Sequence, residues 1–132
     1  MGIRRKERWP SILLDEIEKS KSLAFEYGKN DCTIWAANTI SKYTDLDWKP
    51  SWTNKKQAIK YHNSIKMEEE VSKVLGPAIG NILLTQRGDL VQKGTGINSA
   101  LGICIGSQVV FLYDKQGICY IPLQECNYSW RI

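Results

Sequence analysis

The stretch FEYGKNDCTIWAANTI, residues 25–40, decides how the rest of the chain is read. Its aromatic start ends at Gly28, a residue free to take a sharp turn. Asp31 then has the short acceptor side chain that caps a helix N-terminus. Cys32, Trp35, Ala36, Thr39, Ile40 and Tyr43 recur at helical spacing, and Ile34 and Ala37 widen the stripe, so a well-buried helix is expected to open on Asp-Cys. A thiol in that position feels the partial positive charge of the helix N-terminus, which favours its thiolate. Cys32 is therefore either a nucleophile or a small apolar residue that begins a helix, with Asp31 its cap in both cases.

Working outward, Trp9-Pro10-Ser11 opens an earlier helix, because proline is tolerated in a first turn. Its inward face is expected to hold Ile12, Leu13, Ile17 and Ser20. Beyond a Trp- and Asp-rich connection over 45–52, a third helix is expected over 54–65. A fourth is expected over 67–75, stopped by Gly76-Pro77. After Gly80 the period changes. Short Val- and Ile-rich runs at 89–92, 100–105, 109–113 and 118–122, separated by glycines, read as strands joined by tight turns, with a last strand alternating Tyr128, Trp130 and Ile132. The expected class is α+β, helices first and then a small antiparallel sheet packed on them.

A chain of 132 residues fits one domain, 1–132, with a short basic arm at 1–8. Apolar residues at 42% and charged residues at 24% exclude a disordered chain. No apolar run approaches the roughly 20 residues that span a bilayer, and no hydrophobic stretch follows the basic start as a leader would require. The net charge of +4 owes much to Arg4, Arg5, Lys6 and Arg8, a set able to meet an acidic protein surface. Without a recognition-helix or ribonucleoprotein motif, nucleic acid is not expected as the partner. Trp48 and Trp52, in a polar stretch beside lysines, are the other contact candidates. Four cysteines without a close pair, and a single histidine, His62, argue against a metal site, a disulfide framework or any other cofactor. Cys104 and Cys119 read as fillers within strands. The Arg87-Gly88-Asp89 triplet reads as a tight turn held by a side-chain hydrogen bond rather than as an adhesion motif.

Tyr27-Gly28 with Asp31-Cys32, then Arg87-Gly88-Asp89-Leu90-Val91, then Leu101-Gly102-Ile103-Cys104-Ile105-Gly106 follow one another in an order that resembles the NlpC-type papain-like cell-wall peptidases. More closely, YGKNDC, RGDLV, ALGICIG, QGICYIPL and the terminal YSWRI look like a family of uncharacterised small proteins of tailed phages and prophages, a diverged branch of that fold encoded among tail genes. The resemblance implies a papain-like fold in which Cys32 faces the sheet. It also implies that the position of the active enzymes' histidine, just ahead of the glycine-containing strand, is held here by Ala100, which can move no proton. The expected orienting polar group on the next strand is missing from Val109-Val110-Phe111-Leu112, and a tyrosine of the active enzymes is Phe25 here.

The resulting expectation is a non-catalytic pseudoenzyme acting as a structural or assembly protein of the virion, at the tail, made in the host cytoplasm and bound to other tail proteins. The alternative is an active cysteine peptidase or amidase that cuts peptidoglycan stem peptides as phage DNA passes into the cell. That reading makes the cell wall its partner, Cys32 its nucleophile and the base a residue such as His62.

Overall fold

The computed structural model describes residues 3–24, 31–48, 67–94, 99–112 and 117–132. The helix expected over 54–65, with His62 and Trp52, and the Tyr27-Gly28 turn lie outside them. Among the described residues are three helices, α1 (Trp9–Ser20), α2 (Cys32–Tyr43) and α3 (Met67–Leu75), and five strands. The strands are β1 (Leu90–Lys93), β2 (Ala100–Cys104), β3 (Gln108–Leu112), β4 (Ile118–Pro122) and β5 (Tyr128–Trp130), in one antiparallel sheet of order β4-β3-β2-β1-β5. The α+β class expected from the change of period is thus observed.

Each helix forms where its residues satisfy a local requirement. Pro10 sits in the first turn of α1, and the helix buries Leu13, Ile17 and Ser20. Ser20 is a polar residue on an apolar face, and its hydroxyl is satisfied twice. It donates to the Glu16 carbonyl (2.6 Å) and accepts from the Trp35 indole N–H (2.7 Å), which locks α1 onto α2. Asp31 caps α2, its carboxylate accepting from the Ile34 amide at 2.9 Å. Eight of the twelve residues of α2 are buried, so this helix is the centre of the core as its sequence suggested.

The sheet has apolar residues on both faces. Leu90, Leu101, Ile103, Val110, Leu112 and Trp130 meet the helices, while Val91, Cys104, Val109 and Phe111 form a second cluster with Leu123 and Cys126. Two single-turn 3-10 helices that periodicity did not announce, Ile82–Leu84 and Leu123–Glu125, pack against each other at this second face. The second face is shared closely at Gly102 in β2. A Cβ there would lie 2.7 Å from the Phe111 ring and collide with the Val110 carbonyl, so glycine is what lets Phe111 lie across the strand. The short β5 edge is blunted by the chain before it, since the Ile79 amide donates to the Ser129 carbonyl at 2.7 Å.

The basic start is not a free arm. The Lys6 amide donates to the Tyr43 carbonyl (2.8 Å), the Asp45 amide to the Arg4 carbonyl (2.9 Å), and Arg5 forms an antiparallel bridge with Thr44. The Arg4 amide also donates to the Asp45 carboxylate at 2.8 Å. Backbone donors and acceptors seek partners wherever water is displaced, and here residues 4–6 find theirs along the exit of α2.

Candidate functional site

Cys32 occupies the first position of α2, partly buried, with α2 lying against β2 and β3. Its sulfur is met by the backbone amide of Leu101, the residue after Ala100 at the start of β2. The structure thus brings the helix-start cysteine to the start of β2, next to the strand position that the resemblance assigns to a catalytic histidine; the residue there, Ala100, packs on the second cluster, on the face of the sheet away from α2. Burial pushes the Cys32 thiol above its ordinary value, and the neighbouring negative charge of Asp31 pushes the same way. The Leu101 amide and the groups of Thr33, which favour a thiolate, only partly offset this. The helix N-terminus alone does not produce a poised nucleophile when desolvation acts more strongly on the same sulfur. Cys104 and Cys126 are also raised by burial, Cys126 to about 11, and their thiols face the Gly106 and Pro122 carbonyls. No disulfide joins any of the four cysteines.

A second constellation was not anticipated as such. Asp89, at the entrance to β1, is fully buried. One oxygen accepts from Arg5 Nη2 (3.1 Å) and the Ile132 amide (3.0 Å). The other accepts from the Gln86 amide (2.8 Å) and lies 3.3 Å from Arg131 Nη1. Arg5 is used to the full: Nε donates to the Ile132 carbonyl at 2.8 Å and Nη1 to the Arg87 carbonyl at 2.9 Å, while the guanidinium stacks 4.2 Å above Trp9. Gly88, at φ 91°, accepts through its carbonyl from the Tyr43 hydroxyl at 2.6 Å, and a Cβ there would press on Arg5 and Trp9. The expected tight turn with a side-chain hydrogen bond at Arg87-Gly88-Asp89 is present. Its larger role is to tie the first residues of the chain to the last.

Of the four basic residues proposed for partner contact, Arg5 is therefore turned inward, because a guanidinium beside a buried carboxylate is worth more there than in water. Arg4, Lys6 and Arg8 stay exposed. Trp48 is partly buried against the main core. The signal for the Asp89 cluster was in the sequence: an aspartate at a strand start with an arginine near each terminus. Nothing local, however, pairs residues 5, 89 and 131. No helix among the described residues is long and apolar enough to cross a membrane.

Taken together, these features define a small α+β domain with a capped, cysteine-led helix laid on an antiparallel sheet and with its two ends clasped by a buried carboxylate. The chain belongs to the family described as a domain of unknown function, DUF6950, whose model matches residues 4–132. A search of curated proteins finds no match.

Proposed function

We propose that this protein is a non-catalytic member of the papain-like, NlpC-type group that serves as a structural or assembly component of a phage virion, at the tail. The observation that supports the non-catalytic half is the surroundings of Cys32: a thiol raised by burial and met by the Leu101 backbone amide, while the sequence position where the resemblance expects an imidazole is Ala100, turned to the other face of the sheet. The virion half rests on the resemblance of the quoted motifs. Made in the host cytoplasm, the protein would join neighbouring tail subunits through exposed surface, including Arg4, Lys6 and Arg8. Mass spectrometry of purified particles, with peptides quantified against a known tail subunit, tests the assignment. Stoichiometric recovery is expected, and loss of the protein during particle purification would remove it.

The same protein, purified and offered peptidoglycan fragments, is expected to release no new amino group or carboxylate. Turnover that disappears in Cys32→Ala would instead establish the cysteine peptidase or amidase reading, with its base in the residues around His62.

A further inference from the structure

Two surface features lie on opposite faces of the sheet near its β5 edge. On one, the turn Ile82–Leu84 displays Leu83 and Leu84 at 67% and 61% exposure, the two most exposed large apolar side chains among the described residues. The display is rigid. Ile82 packs into the second core cluster, the Asn81 carboxamide accepts from the Leu83 amide (3.0 Å), and the Thr85 hydroxyl bonds the Ile82 carbonyl and Ser129. Arg131 donates to the Leu84 carbonyl at 3.2 Å, and the exposed Arg87 follows three residues on, so the leucine ridge has a basic rim.

On the other face, α3 and β5 enclose an open groove of about 420 Å³ lined by Glu68, Glu69, Ser72, Lys73, Ala78 and Tyr128. Tyr128 and Ala78 pack on the main core from this side. Lys73 is paired with Glu70 at 2.8 Å, which leaves Glu68 and Glu69 as the groove's excess charge.

We propose that the protein self-associates head to tail, the Leu83–Leu84 ridge of one copy seating in the α3–β5 groove of the next. Apolar ridge meets apolar floor, and Arg87 and Arg131 meet Glu68 and Glu69. Because ridge and groove face opposite ways, a copy cannot fill its own groove. A two-fold contact of ridge on ridge would set arginine against arginine. The interface is therefore heterologous, and repetition gives a ring or an open stack rather than a closed dimer. It is independent of what Cys32 does. So small a patch falls short of the roughly 1,000 Å² of a stable interface, which makes the association weak and salt-sensitive.

Sedimentation velocity and equilibrium of the intact protein test it, from roughly 10 µM to 1 mM, the range suited to a small interface. The weight-average mass is expected to pass that of a dimer at the upper end and to fall back when sodium chloride is raised tenfold. Leu83→Asp, which keeps a groove but no ridge, and Glu69→Arg, which keeps a ridge but no groove, are each expected to stay monomeric. Their mixture is expected to form a one-to-one dimer that grows no further. If Leu83→Asp shows an altered circular dichroism spectrum, Arg87→Glu mixed with Glu69→Arg replaces it, a pair in which both contacts are complementary so that the mixture grows past a dimer; if Glu69→Arg is the altered variant, Glu69→Lys takes its place. A wild type that remains monomeric throughout, either single variant associating like the wild type, or folded mixtures that stay monomeric would overturn the proposal.

Discussion

Cys32 and Asp89 both sit at the start of a regular element, and the fold treats them in opposite ways. Asp89 is sealed from water and surrounded by donors, two guanidinium groups and two backbone amides, so its charge is compensated at every lone-pair direction. Cys32 keeps some exposure, yet among the described residues that govern its ionisation there is no cation, and the charged group is the carboxylate of Asp31. The helix start favours a thiolate, but a buried charge needs several donors to persist, and one amide with a threonine does not supply them. The chain has placed its charge-stabilising machinery under the carboxylate that holds the termini together and withheld it from the thiol.

The largest effect should follow from breaking that arrangement on the Asp89 side. Asp89→Ala strands two guanidinium groups and two amides in a partly dry site, and removing one partner of a buried ion pair costs about 3–5 kcal/mol. Domain stabilities are about 5–15 kcal/mol, so the urea midpoint should fall steeply or the variant should not fold at all. The two arginines sharpen the point. Arg5 has a side chain 19% exposed and four internal contacts, whereas the Arg131 side chain is 47% exposed. Arg5→Ala should therefore approach the loss seen for Asp89→Ala, while Arg131→Ala should fall near the 0–1 kcal/mol of a surface pair. Equal losses for the two arginines would contradict the asymmetry read from burial.

The thiols and Tyr43 give the next effect, in alkali. Cys32, Cys104, Cys126 and Tyr43 are all raised in the folded state, chiefly by burial. A group whose folded pKa lies above its unfolded one holds its proton more tightly when folded. Its stabilising contribution is complete below the unfolded value and is lost as pH rises through the folded value. Stability should thus be flat up to about pH 8.5, the ordinary thiol value, and decline from there through about pH 11, the value for Cys126. Cys126 is expected to carry a visible share of this decline. Denaturant midpoints from pH 7 to 11 measure it, and Cys126→Ala should flatten the curve. A midpoint that holds constant to pH 11 would refute the assignment.

How much of this was legible in the residues differs between the two sites for a physical reason. The cap, α2, the Ser20 face of α1 and the strand runs are local, each set by spacing within a dozen residues, and they appear where expected. The pairing of Cys32 with the start of β2 also emerged, though from the order of motifs rather than from periodicity. The Asp89 clasp joins residues 84 and 43 positions apart with no repeating pattern to announce it. Arg5 consequently read as one of four equivalent surface charges. The 3-10 turn that exposes Leu83 and Leu84 was missed for a related reason: three residues are too short a span for any period to show.

A smaller change probes the helix start. Asp31→Ala removes the acceptor for the Ile34 amide and should cost about 0.5–2 kcal/mol. Asp31→Asn should cost far less, since asparagine caps nearly as well. A cost for Asn equal to that for Ala would mean that the carboxylate charge, rather than the cap, is what the helix uses.

The Asp31→Asn variant also carries the finest test of the comparison, because it keeps the cap and removes a negative charge that raises the Cys32 thiol. In a background where Cys104, Cys119 and Cys126 are replaced by alanine or serine, iodoacetamide should alkylate Cys32 slowly at neutral pH, with a rate that climbs only above the ordinary thiol value of about 8.5. With Asp31→Asn added, the same profile should move to lower pH by a modest step, since desolvation, the larger cause, remains. A thiol already titrating well below 8.5 with Asp31 in place would mean that the site assembles a cationic partner after all, and would return Cys32 to the class of poised nucleophiles. An unmoved profile in the asparagine variant would mean that burial acts alone.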